Sequence, residues 1–165
     1  MRTAELAGFL LFAATACQPN PSILLTEESL PRVICQAEDF TSLRWSSDGG
    51  KPGASQLEKL GEPALMGYQV RLLESSITYF TLDCEIAVYA DATTAQLAFD
   101  QACDPIQPTD PLPEVGEEVY AFRRDWNSAP NQWVFQRGVV LVLLQGDIDL
   151  LAPAQAVDER LENND

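Results

Sequence analysis

Between Ile77 and Tyr89 the chain alternates. Thr78, Phe80, Leu82, Cys84, Ile86 and Val88 form an almost wholly apolar set, and Ile77, Tyr79, Thr81, Asp83, Glu85, Ala87 and Tyr89 a mixed one. A period of two is that of a long, half-buried β-strand. Past Ala90-Asp91 the period lengthens. Ala92, Ala95, Phe99 and Cys103, with Ala98 and Ala102, fall on one stripe of a helix that Asp91 caps and Pro105 stops. The pattern predicts a strand, a turn and a helix folded back over the strand's apolar face.

The same reading extends in both directions. Leu30 to Cys35 reads as a short edge strand, and Ser46 to Ser55 as a loop rich in Gly and Ser. Ser55 then caps a short helix through Leu57 and Leu60 to Gly61. Tyr68, Val70 and Leu72 alternate with Gln69 and Arg71, a strand that pairs with the next as an antiparallel hairpin. Downstream, Asp104 to Pro113 reads as a loop, and Val119 to Arg123 as a strand. Trp133–Phe135 and Val139–Leu144 form a second hairpin turning at Arg137-Gly138. Val139 to Leu144 is apolar at every position, which predicts a central strand covered on both faces. Leu150, Ala154, Val157 and Leu161 make a final helical stripe, with Pro153 near its first turn. The class expected is α+β: a largely antiparallel sheet of about five strands, with helices packed on one face.

The first residues set the compartment. Arg2 precedes the apolar run Leu6 to Phe12 and the small residues that follow it, the layout of a signal peptide. The run is too short for a bilayer, which needs roughly 20 apolar residues. Ala14-Thr15-Ala16-Cys17 resembles the lipobox of bacterial lipoproteins, with Ala14 where Leu is usual, and makes Cys17 the candidate lipidated residue. Ala14-Thr15-Ala16 equally suits an ordinary signal peptidase cutting at the same bond, which would make the protein secreted. The domain reading is residues 1–16 as signal peptide, 17–29 as tether, and 30–165 as a single α+β domain.

With Cys17 set aside, three of the four cysteines remain for the fold. From Ala90 back to Cys84 is about 20 Å along a strand, and the helix returns to Cys103 over about 17 Å. A Cys84–Cys103 disulfide is therefore expected in an oxidising compartment, with Cys35 spare; pairing of Cys35 with either partner stays open.

Charge and composition narrow the chemistry. The formal net charge is −15 and the chain has no histidine. So acidic a surface repels nucleic acid and anionic lipid, and the commonest general base and metal ligand are both missing. Asp147-Ile148-Asp149 reads as a turn ahead of the last helix, and Arg123, Arg124 and Arg137 as partners in ordinary salt bridges. There is no Gly-x-Ser-x-Gly, no Ser-x-x-Lys and no phosphate-cradling glycine loop. Carboxylates are abundant, but nothing in the spacing positions two of them for hydrolysis.

Leu57-Glu58-Lys59-Leu60-Gly61, Gly67-Tyr68-Gln69-Val70 and Val88-Tyr89-Ala90-Asp91 with Ala95, Ala98 and Phe99 occur in this order. Val115-Gly116-Glu117-Glu118, then Phe135-Gln136-Arg137-Gly138-Val139-Val140 and a terminal helix, follow. Over roughly residues 55–162 this order resembles bacterial cell-surface lipoproteins of uncharacterised role, and more distantly extracytoplasmic sensor-like α+β domains. The resemblance implies an address and an architecture, and carries no catalytic residue. The expected protein is non-catalytic, extracytoplasmic and lipid-anchored, without a cofactor or bound metal. It touches the membrane only through its anchor and binds or senses an unknown small molecule. A structural role with an envelope protein as partner is the alternative, and a carboxylate-dependent hydrolase comes third. The candidate ligand face is a concave one formed by Tyr68, Arg71, Tyr79 and Tyr89.

Overall fold

The computed structural model describes residues 25–40, 44–60, 62–75, 80–103, 114–122 and 131–164. The leader with Cys17, Tyr79, and the stretches 104–113 and 123–130 with Arg123 and Arg124 lie outside them. Among the described residues an antiparallel sheet of seven strands is formed by β1 (Trp45–Ser47), β2 (Lys51–Pro52), β3 (Met66–Glu74), β4 (Thr81–Val88), β5 (Glu118–Phe122), β6 (Asn131–Arg137) and β7 (Val140–Gly146). The order across it is β1-β3-β4-β7-β6-β5, with β2 also on β3. The all-apolar β7 is central as its pattern requires, flanked by β4 and β6.

β1 and β2 are one edge strand broken by a bulge. Ser47 stands opposite Leu72 but Lys51 opposite Gln69, so the edge carries one residue more than its partner. Gly49 and Gly50, at φ 95° and 59°, take up the extra residue in a backbone conformation that side chains disfavour. The bulge also blunts the sheet's edge against pairing with other chains.

Helices cover both faces. On one lie α1 (Leu30–Val33) and α3 (Leu151–Glu162), whose Leu30, Val33, Ala154, Val157 and Leu161 pack on Val70, Leu72, Leu82, Cys84, Ile86, Phe135, Val142 and Leu144. Leu25 already joins this core. On the other lie α2 (Ala92–Cys103) and the 3₁₀ turn Leu57–Leu60, packed on Ala87, Tyr89, Val134, Leu141 and Leu143. Asp91 caps α2 as expected, its carboxylate accepting from the Thr94 N–H at 2.8 Å. Asp149 accepts from the Leu151 N–H at 3.0 Å, the turn role its sequence suggested.

Two arginine clusters hold α3 in place, one against the N-terminal segment and one against β6. Arg160 donates to the carbonyls of Val33 and Ile34 at 3.1 Å each and grips Asp39 at 2.7 and 2.8 Å. Arg137 at the end of β6 holds Asp158 of α3 through two bonds, at 2.5 and 2.8 Å, while Asp158 also accepts from the Gly116 N–H at 2.8 Å.

Three expectations are corrected. The disulfide joins Cys35 to Cys84, with Cα atoms 6.3 Å apart, and Cys103 is a free thiol. The reason is strand parity: Cys84 points with Leu82 and Ile86 toward α1 and α3, whereas α2 lies over Ala87 and Tyr89. Cys84 and Cys103 are thus on opposite sides of the sheet. For the same reason the helices divide between two faces instead of sharing one, within an α+β class that stands as read. Residues 30–33 are helical, not an edge strand, with Pro31 in the first turn where its missing N–H is no loss.

Candidate functional site

α2 lies across β6 and β7, and the 3₁₀ turn lies over β4. The outer part of that face, on β3 and β4, carries polar side chains in place of a helix. Gln69 and Arg71 of β3 stand directly opposite Glu85 and Asp83 of β4. They floor a cleft of about 300 Å³. Asp48, Gly50 and Lys51 of the bulged edge form one wall, and Ser55 and Gln56 the other. Val70 and Cys84 border it through their main chain, because their side chains belong to the core behind.

Each charge on the floor has a built partner. Arg71 binds Asp83 in parallel, Nε to Oδ1 at 2.6 Å and Nη2 to Oδ2 at 3.1 Å, and this pairing raises the guanidinium pKa. Glu85 is 3% exposed. Its Oε2 accepts from the main-chain N–H of Gln56 at 2.8 Å and of Leu57 at 3.2 Å. The Ser55 hydroxyl lies 3.2 Å from both Glu85 Oε1 and Gln69 Oε1, one proton between two acceptors. The 3₁₀ turn is therefore capped by a carboxylate from β4, where the sequence pointed to Ser55. Asp48 Oδ1 accepts from the N–H of Gly50 at 3.0 Å and of Arg71 at 3.2 Å. The Gly50 bond, working against burial and joined by the Arg71 N–H and the charges of Arg71 and Lys51, holds Asp48 below the usual carboxylate range.

The face expected from Tyr68, Arg71, Tyr79 and Tyr89 does not assemble. Tyr68 and Arg71 are three apart on β3, so they point to opposite faces. Tyr68 packs against the α1 and α3 core, its hydroxyl donating to the Gly49 carbonyl at 3.2 Å. Tyr89 shares the Arg71 face but lies about 20 Å further along, at roughly 3.3 Å per strand residue. It is 1% exposed beneath α2. Only Arg71 of the four lies in the cleft, and Tyr79 is outside the described residues. The cleft's other members were readable in part: Gln69 with Arg71 and Asp83 with Glu85 are polar pairs on like faces of one hairpin. Among the described residues, no group of three or more cysteine or carboxylate side chains is placed to hold a metal ion.

Tyr89 and Cys103 make the fold sensitive to alkali. Burial, then the charges of Glu62 and Glu58, push Tyr89 from 10.0 to about 12. Burial, then Asp100 and Glu118, push Cys103 from 9.0 to about 12. Both folded-state values are raised, so the folded protein keeps protons that the unfolded chain releases. The stabilisation is complete below about pH 9 and falls away as pH rises toward 12. Urea midpoints measured between pH 8 and 11.5 are expected to fall, and to fall less in a Tyr89→Phe, Cys103→Ser variant.

No protein-family model matches the chain, and no curated protein matches it significantly. Its fold resembles the extracellular domain of PknH from Mycobacterium tuberculosis. The two share a TM-score of 0.56 at 8% identity, over 85% of this chain and 96% of that one. At that identity the likeness is one of fold. No helix among the described residues is long and apolar enough to cross a membrane.

Proposed function

We propose that this chain is an extracytoplasmic, lipid-anchored domain that binds a small polar molecule in the cleft between the bulged edge strand and the 3₁₀ turn, without transforming it. The observation that carries the reading is the cleft itself: a polar floor of four aligned side chains on a sheet whose remaining face is packed under helices. The leader with its lipobox-like Ala14-Thr15-Ala16-Cys17 supports the address, and so does a buried disulfide, a bond that persists in oxidising compartments. The fold's likeness to an extracellular domain agrees with both.

Binding is favoured over hydrolysis by the state of the two floor carboxylates. Asp83 and Glu85 lie two apart on one strand, about 7 Å, within the range of a glycosidase pair. Both oxygens of Asp83 are taken by Arg71, and both of Glu85 by donors from Ser55 to Leu57. A general acid or base must turn a carboxyl oxygen to its substrate, and here each oxygen is already held by a donor that would have to be shared or released. Nor, among the described residues, does an apolar patch favour a protein partner: exposed Leu65 and Leu73 mark opposite ends of β3, and Leu97 lies on α2.

Two measurements test the reading. A thermal-shift screen against polar metabolites is expected to yield a compound that raises the Tm of the wild type but not of Gln56→Ala or Arg71→Ala. Hits indifferent to both changes would move the site elsewhere. Intact mass of membrane-fraction protein, without reduction, is expected to give a chain beginning at Cys17 with acyl groups; a mature mass lacking them removes the anchor.

A further inference from the structure

Resting on the cleft as a binding site, we infer that its ligand is a neutral saccharide. The lining carries three carboxylates, Asp48, Asp83 and Glu85, and two cations, Lys51 and Arg71. All but Lys51 are already engaged with each other or with main-chain N–H groups. Arg71 is spent on Asp83, and Glu85 on Ser55 and the two main-chain N–H groups. Asp48 accepts from the main-chain N–H groups of Gly50 and Arg71, and Lys51 is one cation without an ion pair among the described residues, in a lining where carboxylates outnumber cations. An anion would meet a lining of net negative sign inside a chain of charge −15. A cation would have to take a carboxylate away from an existing partner.

What the cleft does offer is unspent hydrogen bonding. Among the described residues the Lys51 ammonium, the Gln56 side chain, the Gln69 amide nitrogen, Arg71 Nη1 and Asp48 Oδ2 have no hydrogen-bond partner. The cleft therefore offers both donors and acceptors, and a hydroxyl is the neutral group that both donates and accepts. A run of neighbouring hydroxyls on a compact ring matches such a set. Apolar ligands are disfavoured because no apolar side chain faces the cleft, Val70 and Cys84 being turned into the opposite core. The volume, about 300 Å³, is at the small end for ligand sites and suits a mono- or disaccharide, or the end of a longer glycan. With no aromatic ring among the described lining residues, binding is expected to be weak, in the millimolar range.

Backbone amide shifts of the purified full chain, followed by NMR, test this. The probes are glucose, galactose, N-acetylglucosamine, maltose and a longer maltooligosaccharide, beside glucuronate, glucosamine and glutamate as charged controls. The neutral sugars are expected to shift the amides of Lys51, Ser55, Gln56 and Gln69 saturably. Gln56→Ala is expected to weaken that response about fivefold, the usual effect of one lost hydrogen bond. Gln69→Ala serves as a second variant should the first fail to fold. A stronger response to the oligosaccharide than to maltose identifies a glycan chain end as the source, and equal responses identify a free sugar. Cleft shifts from the charged probes alone overturn the saccharide and leave the cleft a binding site. Shifts from the sugars confined to other surfaces, or none with any probe, overturn the inference; in the second case the cleft reading falls too.

Discussion

Cys35→Ser is expected to lower the stability of the fold by about 4 kcal/mol, the loop-entropy value for a closed loop of this length. The two cysteines are 49 residues apart. That loop contains β1, β2, β3 and the 3₁₀ turn, so the bond restricts nearly a third of the chain before any of it folds. Both cysteines are essentially buried, at 2% and 0% exposure, and the serine hydroxyl would add an unsatisfied polar group to the core. Urea unfolding provides the measurement. Wild type with a strong reductant should unfold at nearly the midpoint of Cys35→Ser, and Cys103→Ser should match the oxidised wild type. If Cys103→Ser and Cys35→Ser exchange these behaviours, the pairing is wrong.

Asp158→Ala is expected to cost about 3 to 5 kcal/mol, the range for removing one member of a buried ion pair. The side chains of Arg137 and Asp158 are 17% and 12% exposed, so water replaces little of what is lost. The change leaves Arg137 with only Glu162, itself 57% exposed, at 2.8 Å. It also strands the Gly116 N–H, which donates to Asp158. Gly116 has φ 67°, and a Cβ there would sit 2.5 Å from the Gln136 carbonyl oxygen, so only glycine fits at the position whose N–H reaches Asp158. A double change, Arg137→Met with Asp158→Leu, should recover the share of the loss due to the unpaired guanidinium, but not the share due to the Gly116 N–H, which leucine leaves without an acceptor. A single change within about 1 kcal/mol of wild type would show that the pair is solvated and contributes little.

What the sequence made legible follows from periodicity. β7 was readable as central because six successive apolar residues cannot face water on either side, and α3 because Leu150, Ala154, Val157 and Leu161 repeat at helical spacing. Parity was readable too, but not which face a helix would choose. β4 has a usable apolar surface on each side, Leu82, Cys84 and Ile86 on one and Ala87 and Tyr89 on the other. Either could have received α2, and the disulfide expectation failed with that choice. The helical start at Leu30 was hidden because four residues are too few to establish a period, though Pro31 was a usable signal. In the site, strand parity puts Gln69 with Arg71, and Asp83 with Glu85, on like faces, but their cross-strand pairing depends on a register that a turn at Glu74-Ser75-Ser76 would have set four residues away. The roles of Asp48 and Lys51 were hidden as well, because they depend on a one-residue bulge.

Cys84 sits between Asp83 and Glu85, two floor residues of the cleft, while its sulfur reaches through to Cys35 on the other side of the sheet. A pull applied at the N-terminus is thus delivered by a covalent bond to an interior strand, bypassing the residues between the two cysteines. The outer strands carry none of that load, and β4 is gripped by β3 and β7 along its length. A domain hung from its N-terminal end would keep its cleft intact under tension that frays the chain only as far as Cys35.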